Sequence, residues 1–395
     1  MTGTRLDSAA LEPYIVGMVD LERAGGAVTP LRLPLRIHPS FPNTSLARLV
    51  RLPMGVRLRM LTAAHRLEID ARVEQHVSDA SPASIPRALW IATRGDGPER
   101  QTIARVEATG VDRLIESLDG HVSVSPGSQE SAIFSFDDRP TEPRIVEIWL
   151  PHNARIDLRS IAADEPILLP PSSSRLRWAH YGSSISQCVE ADDPLSSWPQ
   201  QTAHALGVDF TSLAFAGNAM LDPFVAQVVA DIEVDVVTVK VGINIVNAAA
   251  MTARTFGPAL HGFLDRIRER HTRVPIIVIS AIACPMHEDT PGPTVWRDDG
   301  TLGGTTSHPP REDELTLADT RRIVRSVADL RAAAGESMLH LDGLELFGPA
   351  DVDLLSDGLH PTQQGFDVMA GRFVDVIRSR EDLSAAFHQN LPSAS

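Results

Sequence analysis

Lysine is almost missing from this chain. Lys240 is the only one among 36 basic residues, and all the others are arginine. Against them stand 51 acidic residues, for a formal net charge of −15. No block of basic residues could track a phosphate backbone, and the overall sign repels one. This argues against nucleic acid and against an anionic membrane as partners. Residues 1–172 carry 19 Arg and 22 acidic residues, net −3, so the other −12 lies in residues 173–395. Cysteine is scarce as well. Cys188 and Cys284 are the only two, too few for a disulfide framework and in keeping with a reducing compartment. The first 25 residues lack a basic stretch followed by an apolar core, so no secretory signal is expected. Long hydrophobic runs are absent too. The longest, residues 274–286, is broken by Pro275 and is far too short to span a bilayer. The expected location is the cytoplasm.

What is present is an ordinary globular composition, 43% hydrophobic and 22% charged, spread over 395 residues. That length exceeds one typical core, so two domains are expected. Residues 1–170 read as β. Residues 65–73 alternate polar and apolar at every step, and Val56, Leu58 and Met60 alternate with Arg57 and Arg59, as strands with one wet face do. Shorter runs at 102–107, 132–136 and 144–150 are separated by Gly, Pro, Asp and Ser. Many short strands without helical periods between them predict an all-β sandwich. Residues 171–174, Pro-Ser-Ser-Ser, read as a linker.

From residue 175 to 383 the pattern changes to strand and helix in alternation. Buried-type strands are expected at 176–181, 210–214, 234–241, 276–281 and 338–341. Helical stretches are expected at 198–206, 223–232, 255–271, 314–334 and 362–377. Five strands linked by helices predict βαβ units, a five-stranded parallel sheet and a three-layer α/β/α domain. Residues 384–395 read as a loose tail. In such a sheet a ligand sits outside the carboxyl ends of the strands.

Four short signals fall at that edge. Gly182-Ser183-Ser184-Ile185-Ser186 follows the first strand and can expose a serine hydroxyl on a tight strand-to-helix turn. Ala216-Gly217-Asn218 follows the second strand and Gly242-Ile243-Asn244 the third. Asp357-Gly358-Leu359-His360-Pro361 lies between the fifth strand and the last helix. A carboxylate three residues before an imidazole can bind its Nδ1–H, fix the tautomer and leave Nε2 to take a proton. Each signal alone is a common turn or cap. Together, at one edge of one sheet, they point to a single site.

These blocks resemble those of the SGNH (GDSL-type) hydrolase superfamily over roughly residues 175–380. The resemblance implies a flavodoxin-like sheet with Ser184 as nucleophile, His360 as base and Asp357 as its orienting carboxylate. It also implies an oxyanion hole from the N–H groups of Ser184 and Gly217 and the side-chain amide of Asn244. No cofactor or metal is needed for such chemistry. Ser183 stands where the family usually has Asp, and Ile245 where Asp often follows the asparagine. The expected function is hydrolysis of a small or carbohydrate-linked acyl ester. Some proteins with a sandwich before such a domain are acyltransferases, so the same triad moving an acyl group to a small-molecule hydroxyl is the alternative. A non-catalytic binding module is a third.

Other features carry less. His287-Glu288-Asp289 reads as a polar loop, not as metal ligands, because neighbouring side chains diverge. Residues 285–310 emerge at the active edge and read as a substrate-shaping lid, with Trp296 as its candidate contact. Lys240 reads as a structural cation beside the oxyanion loop.

Overall fold

The computed structural model describes residues 3–78, 87–116, 121–128, 131–137, 140–296, 302–304 and 313–388. The chain divides into two compact units. One comprises residues 1–174 with 189–200 and 204–207; the other comprises 175–188, 201–203 and 208–395.

The first unit is built from two sheets. In the larger, the strands Val122–Ser125, Val111–Glu116, Arg66–Ser78, Arg155–Ala163, Ala27–Leu31 and Asp20–Ala24 lie side by side in that order. Thr4–Asp7 and Ser131–Ser135 pair with its central members. The smaller sheet runs Ile15–Val16, Arg57–Thr62, Arg144–Trp149, Leu89–Arg94, Gln101–Glu107. Alternate residues of both meet in one core: Leu67, Ile69, Ile156 and Leu158 from the first, Leu58, Met60, Trp90 and Ile148 from the second. The alternation read from residues 56–60 therefore sets the inward face.

The outward face departs from expectation. Arg57 and Arg59 are buried, not wet, at 3% and 5% exposure. Glu147 on the neighbouring strand is buried with them and accepts from Arg57 Nε at 2.8 Å. Arg57 and Arg100 both stack on the Trp149 ring, 4.7 and 4.8 Å from its centroid. Arg59 donates to Asp96 at 2.8 Å and to Pro171 O at 3.0 Å, while Leu61 and Leu168 exchange backbone bonds. The departing chain thus lies back along this sheet, and a neutralised, stacked charge layer replaces water there. Alternation reveals which side chains share a face but not what covers that face.

In the second unit, Arg177–Gly182, Asp209–Ala214, Val236–Lys240, Ile276–Ile279 and Met338–Leu341 form one parallel sheet in the order second, first, third, fourth, fifth. Its three central strands are buried on both faces, as continuous runs such as Ile276-Ile277-Val278-Ile279 require. Trp178 and Tyr181, an odd number of residues apart on the first strand, face opposite sides of the sheet. Trp178 packs on Phe373 of helix Gln363–Ser379 and on Phe387, whereas Tyr181 packs on Phe263 of helix Ala253–Arg268. Phe387 also corrects the tail boundary. Residues 384–388 belong to a helix, Glu381–His388, because Leu383, Ala386 and Phe387 find apolar cover on the sheet. Residues 389–395 lie outside the described residues. The third strand neighbours the first, and the chain leaves these two strands in opposite directions, which opens a crevice at their carboxyl ends.

No helix among the described residues is long and apolar enough to cross a membrane. The buried charge layer gives a stability prediction. Glu147 Oε1 also lies 3.5 Å from Arg59 Nε, so Glu147→Gln removes a carboxylate shared by Arg57 and Arg59 and should cost about 3–5 kcal/mol in urea unfolding. A loss below about 1 kcal/mol, the level of an exposed pair, would contradict this account.

Candidate active site

The first strand delivers the serine. Beyond Gly182 the chain stays extended through Ser183, then makes a single helical turn, Ser184–Gln187, stopped by Cys188 in the left-handed region at φ +51°. Ser184 is the first residue of that turn, so its N–H has no intrahelical acceptor. Beneath lies a polar cluster that the sequence reading missed. Thr238 Oγ1 accepts from Trp178 Nε1 at 2.8 Å and sits 2.6 Å from His180 Nδ1, while His180 Nε2 lies 2.8 Å from Ser186 Oγ. Burial, with the Lys240 charge nearby, holds His180 at about 3, so this imidazole stays neutral. A Cβ on Gly182 would lie 2.6 Å from Ser186 Oγ and 3.1 Å from His180 Nε2. Glycine is therefore required where the turn rests on this pair.

The loop after the fifth strand delivers the imidazole. Asp357 Oδ1 accepts from the N–H groups of Leu359 and His360 at 2.9 and 2.7 Å, closing a tight turn with Gly358 at φ +80°. Its Oδ2 accepts from His360 Nδ1 at 2.8 Å, which leaves Nε2 as an acceptor 2.9 Å from Ser184 Oγ. The three side chains expected to act together are thus joined by two hydrogen bonds, across 176 residues of sequence. Burial alone would raise the Asp357 carboxyl. The imidazole and the two backbone N–H groups outweigh it and hold the group at about 2.

Two further loops supply donors. Gly217 takes φ +67°, a conformation costly for any residue with a Cβ. Its loop is tied down by three side chains from three elements. Gln187 Oε1 accepts from Ala216 N at 2.7 Å, Asn244 Oδ1 from Ala219 N at 3.0 Å and Tyr181 Oη from Leu221 N at 2.9 Å. The Asn244 bond also orients the buried amide, since engaging Oδ1 leaves Nδ2 as the outward donor. Ser184 N, Gly217 N and Asn244 Nδ2 have no protein acceptor among the described residues. Gln187 and Tyr181 were not anticipated; a polar residue inside a strand of buried type was the only available sign.

The remaining expectations divide. Ile245 is fully buried, and the Ser183 hydroxyl is buried without a partner among the described residues. Lys240 is buried at the end of the third strand, and desolvation pulls its amine down to about 8. Cys188 and Cys284 are both buried, with no disulfide between them. Among the described residues no group of three or more His, Cys, Asp or Glu could hold a metal ion. His287 is not in an open polar loop but fully buried, bonded to Thr290 O and Thr294 Oγ1. Of the expected lid, Thr294–Trp296 and Leu302–Gly304 form a small hairpin. The Trp296 side chain and residues 297–301 and 305–312 lie outside the described residues.

The sequence profile of the GDSL-like Lipase/Acylhydrolase family matches residues 180–368. This stretch is a GDSL-like lipase/acylhydrolase domain. Ser184, Gly217, Asn244, Asp357 and His360 all fall within it. Solved structures extend the likeness over both units. A salicylyl-acyltransferase from a tetracycline biosynthetic pathway superposes with a TM-score of 0.76 at 22% identity, covering 99% of each chain. A protein named as a GDSL-like lipase from Bacteroides ovatus gives 0.66 at 18% identity, over 95% of this chain and 97% of the other. An acetyl xylan esterase from Butyrivibrio proteoclasticus gives 0.54 at 12%, over 96% and 98%. At these identities the likeness establishes the fold. A search of curated protein sequences finds no match.

The GDSL-like site predicts a one-sided acid limb. A carboxyl whose folded pKa is lowered keeps its ionised form as pH falls below the ordinary carboxylate range, until pH reaches about 2. Loss of activity on acidification should therefore follow protonation of the imidazole, with no separate step from Asp357 above pH 4. Asp357→Asn should lower kcat by up to ~10⁴, the loss in the best-studied triad. An Asp357→Asn enzyme within about tenfold of the parent, at 1.36 kcal/mol per decade, would deny the carboxylate its orienting part.

Proposed function

We propose that Ser184, His360 and Asp357 form a catalytic triad that opens acyl esters through an acyl-enzyme. The observation that supports this most is the unbroken chain Asp357 Oδ2, His360 Nδ1, His360 Nε2, Ser184 Oγ at 2.8 and 2.9 Å, beside three unused donors. His360 takes the Ser184 proton as Oγ attacks the ester carbonyl, and Asp357 stabilises the imidazolium that forms. The N–H groups of Ser184 and Gly217 and the Asn244 amide meet the oxyanion. The imidazolium then protonates the leaving alcohol, and a second hydroxyl resolves the acyl-enzyme. The substrate class we favour is a small or carbohydrate-linked acyl ester, and the second hydroxyl is water.

A second reading has a specific observation in its favour. The two-unit organisation extends over 99% of a protein named as a salicylyl-acyltransferase. The same residues serve both readings, because the difference lies in which hydroxyl reaches the acyl carbon. The site lies within residues 180–368.

Turnover of short aryl esters, followed with and without acceptor alcohols, tests both readings. Hydrolysis is expected to dominate, and Ser184→Ala should abolish it while leaving the melting temperature unchanged. Turnover that persists in that variant contradicts the nucleophile. An acyl product that forms only with acceptor present replaces hydrolysis with transfer.

Asn244→Ala separates this mechanism from a serine hydrolase whose oxyanion hole is made of backbone N–H groups alone. An amide that acts mainly on the tetrahedral oxyanion should show its loss in kcat, by ~10²–10³, with KM little changed. A near-parental kcat would remove the side-chain donor from the mechanism.

A further inference from the structure

The outer face of the larger sheet in the first unit carries a cavity of about 340 Å³, at the small end of the range for ligand sites. Strand register builds its floor. Arg155 stands in register with Glu74 on the next strand, and His76 with Leu114 on the strand beyond. Val73 and Ile156, the sequence neighbours of Glu74 and Arg155, lie in the core, so the cavity side chains point away from it. Val122 stands in register with Glu116 and extends this face by one more strand. The wall is the helix Thr44–Leu49 with the turn that follows, which contribute Ala47, Arg48, Arg51 and Leu52. Leu46 and Leu49 bury the other side of that helix. The fully buried Arg32 donates to Leu49 O and Leu52 O at 2.7 Å each, which anchors the wall where it ends.

The hydrogen-bonding capacity around this cavity is unbalanced. Arg51 is satisfied, since it donates to both Glu22 oxygens at 2.8 and 3.0 Å. Arg48 is not. It makes no hydrogen bond among the described residues, and Glu116 Oε2 stands 3.6 Å from its Nη1. Arg155 uses only Nε, on Asp157 at 2.8 Å, so both its Nη groups lack an acceptor among the described residues. The carboxylates nearby are engaged, Glu74 with Arg72 at 3.2 Å and Glu116 beside His76 Nε2 at 2.8 Å. Burial lowers the Arg48 pKa in spite of Glu116, and it lowers that of His76, where the Arg48 charge adds to the effect. What the cavity lacks is an acceptor that carries negative charge. Ala47, Leu52, Leu114 and Val122 make much of the remaining lining apolar, and no lining residue is aromatic, so a sugar ring has no face to lie on.

We propose that this cavity binds a small organic carboxylate, its oxygens on the fork of Arg48 and its apolar body along Ala47, Leu52, Leu114 and Val122. A planar guanidinium meets a carboxylate through two parallel N–H bonds, roughly twice as strong as neutral ones. A bare anion such as phosphate would leave the apolar lining unused, and an alcohol would leave the guanidinium unused. The cavity belongs to the first unit, so the inference does not depend on the Ser184 mechanism.

The test is calorimetric titration of the full chain with hexanoate and benzoate, with hexanol, benzyl alcohol and inorganic phosphate as controls. The ring resonance of His76, assigned by its loss in His76→Gln, is followed alongside. At least one of the two carboxylates should bind saturably and tighter than every control, and should raise the His76 pKa because it offsets the Arg48 charge. Arg48→Gln should weaken that binding by about tenfold or more, the scale of a lost hydrogen bond to a charged group. Val122→Glu sets a carboxylate on the apolar lining at a position already 48% exposed, and should weaken it likewise. This second variant answers the question if Arg48→Gln does not fold. Absence of saturable binding overturns the site. Unchanged binding in either variant, or a His76 resonance that does not move, places the carboxylate elsewhere and overturns it too. An alcohol that binds as well as its acid removes the guanidinium from the account, and phosphate that binds as well as hexanoate removes the apolar lining; either result refutes the proposal.

Discussion

The second unit depends on one hydrogen bond, between His360 Nε2 and Ser184 Oγ at 2.9 Å. Its partners come from the first and last strands of the domain, so every connection between them must bring the chain back to the same edge. A parallel sheet with right-handed crossovers does this by construction, since each strand ends at the same side. The order second, first, third opens the crevice between the first and third strands. Ser184 and Asn244 leave from those two strands. The arrangement of the site follows from topology before any side chain is chosen.

The side chains then make that edge rigid. The Gly217 loop has no regular structure of its own, yet Gln187, Tyr181 and Asn244 each accept one of its backbone N–H groups. An oxyanion donor helps only if it is already aimed when charge develops, because reorientation during the reaction would cost what the bond supplies. The neutral His180, held between Thr238 and Ser186, does the same for the serine turn. These are buried polar groups, expensive unless satisfied, and their bonds pin loops that hydrophobic packing alone would leave loose.

Much of this was legible in the sequence. Residues 276–279 read as a strand because a fully buried strand is a continuous apolar run, and the Asp-x-x-His spacing read as a pair because three residues span one turn. The misreadings have physical causes. Arg57 and Arg59 alternate like solvent-facing residues, but Arg57 bonds Glu147 and lies over the Trp149 ring while Arg59 pairs with Asp96, a layer visible only when strands 90 residues apart are paired. Residues 384–388 lack a strong helical signal alone; Phe387 becomes helical in register with Trp178 and Phe373. His287 looked like a polar loop residue because its partners, Thr290 and Thr294, enclose it only after the chain turns back. In each case the information lies in a tertiary partner, not in the local pattern.

The central claim is that Ser184 carries the acyl group between donor and acceptor. Intact-protein mass measurement during the first turnover of a p-nitrophenyl acyl ester tests it most directly. The account predicts one acyl adduct per chain, mapped to Ser184, released by hydroxylamine and absent from Ser184→Ala. Ester turnover with no adduct in the burst, or with an adduct on another residue that persists in Ser184→Ala, would contradict it.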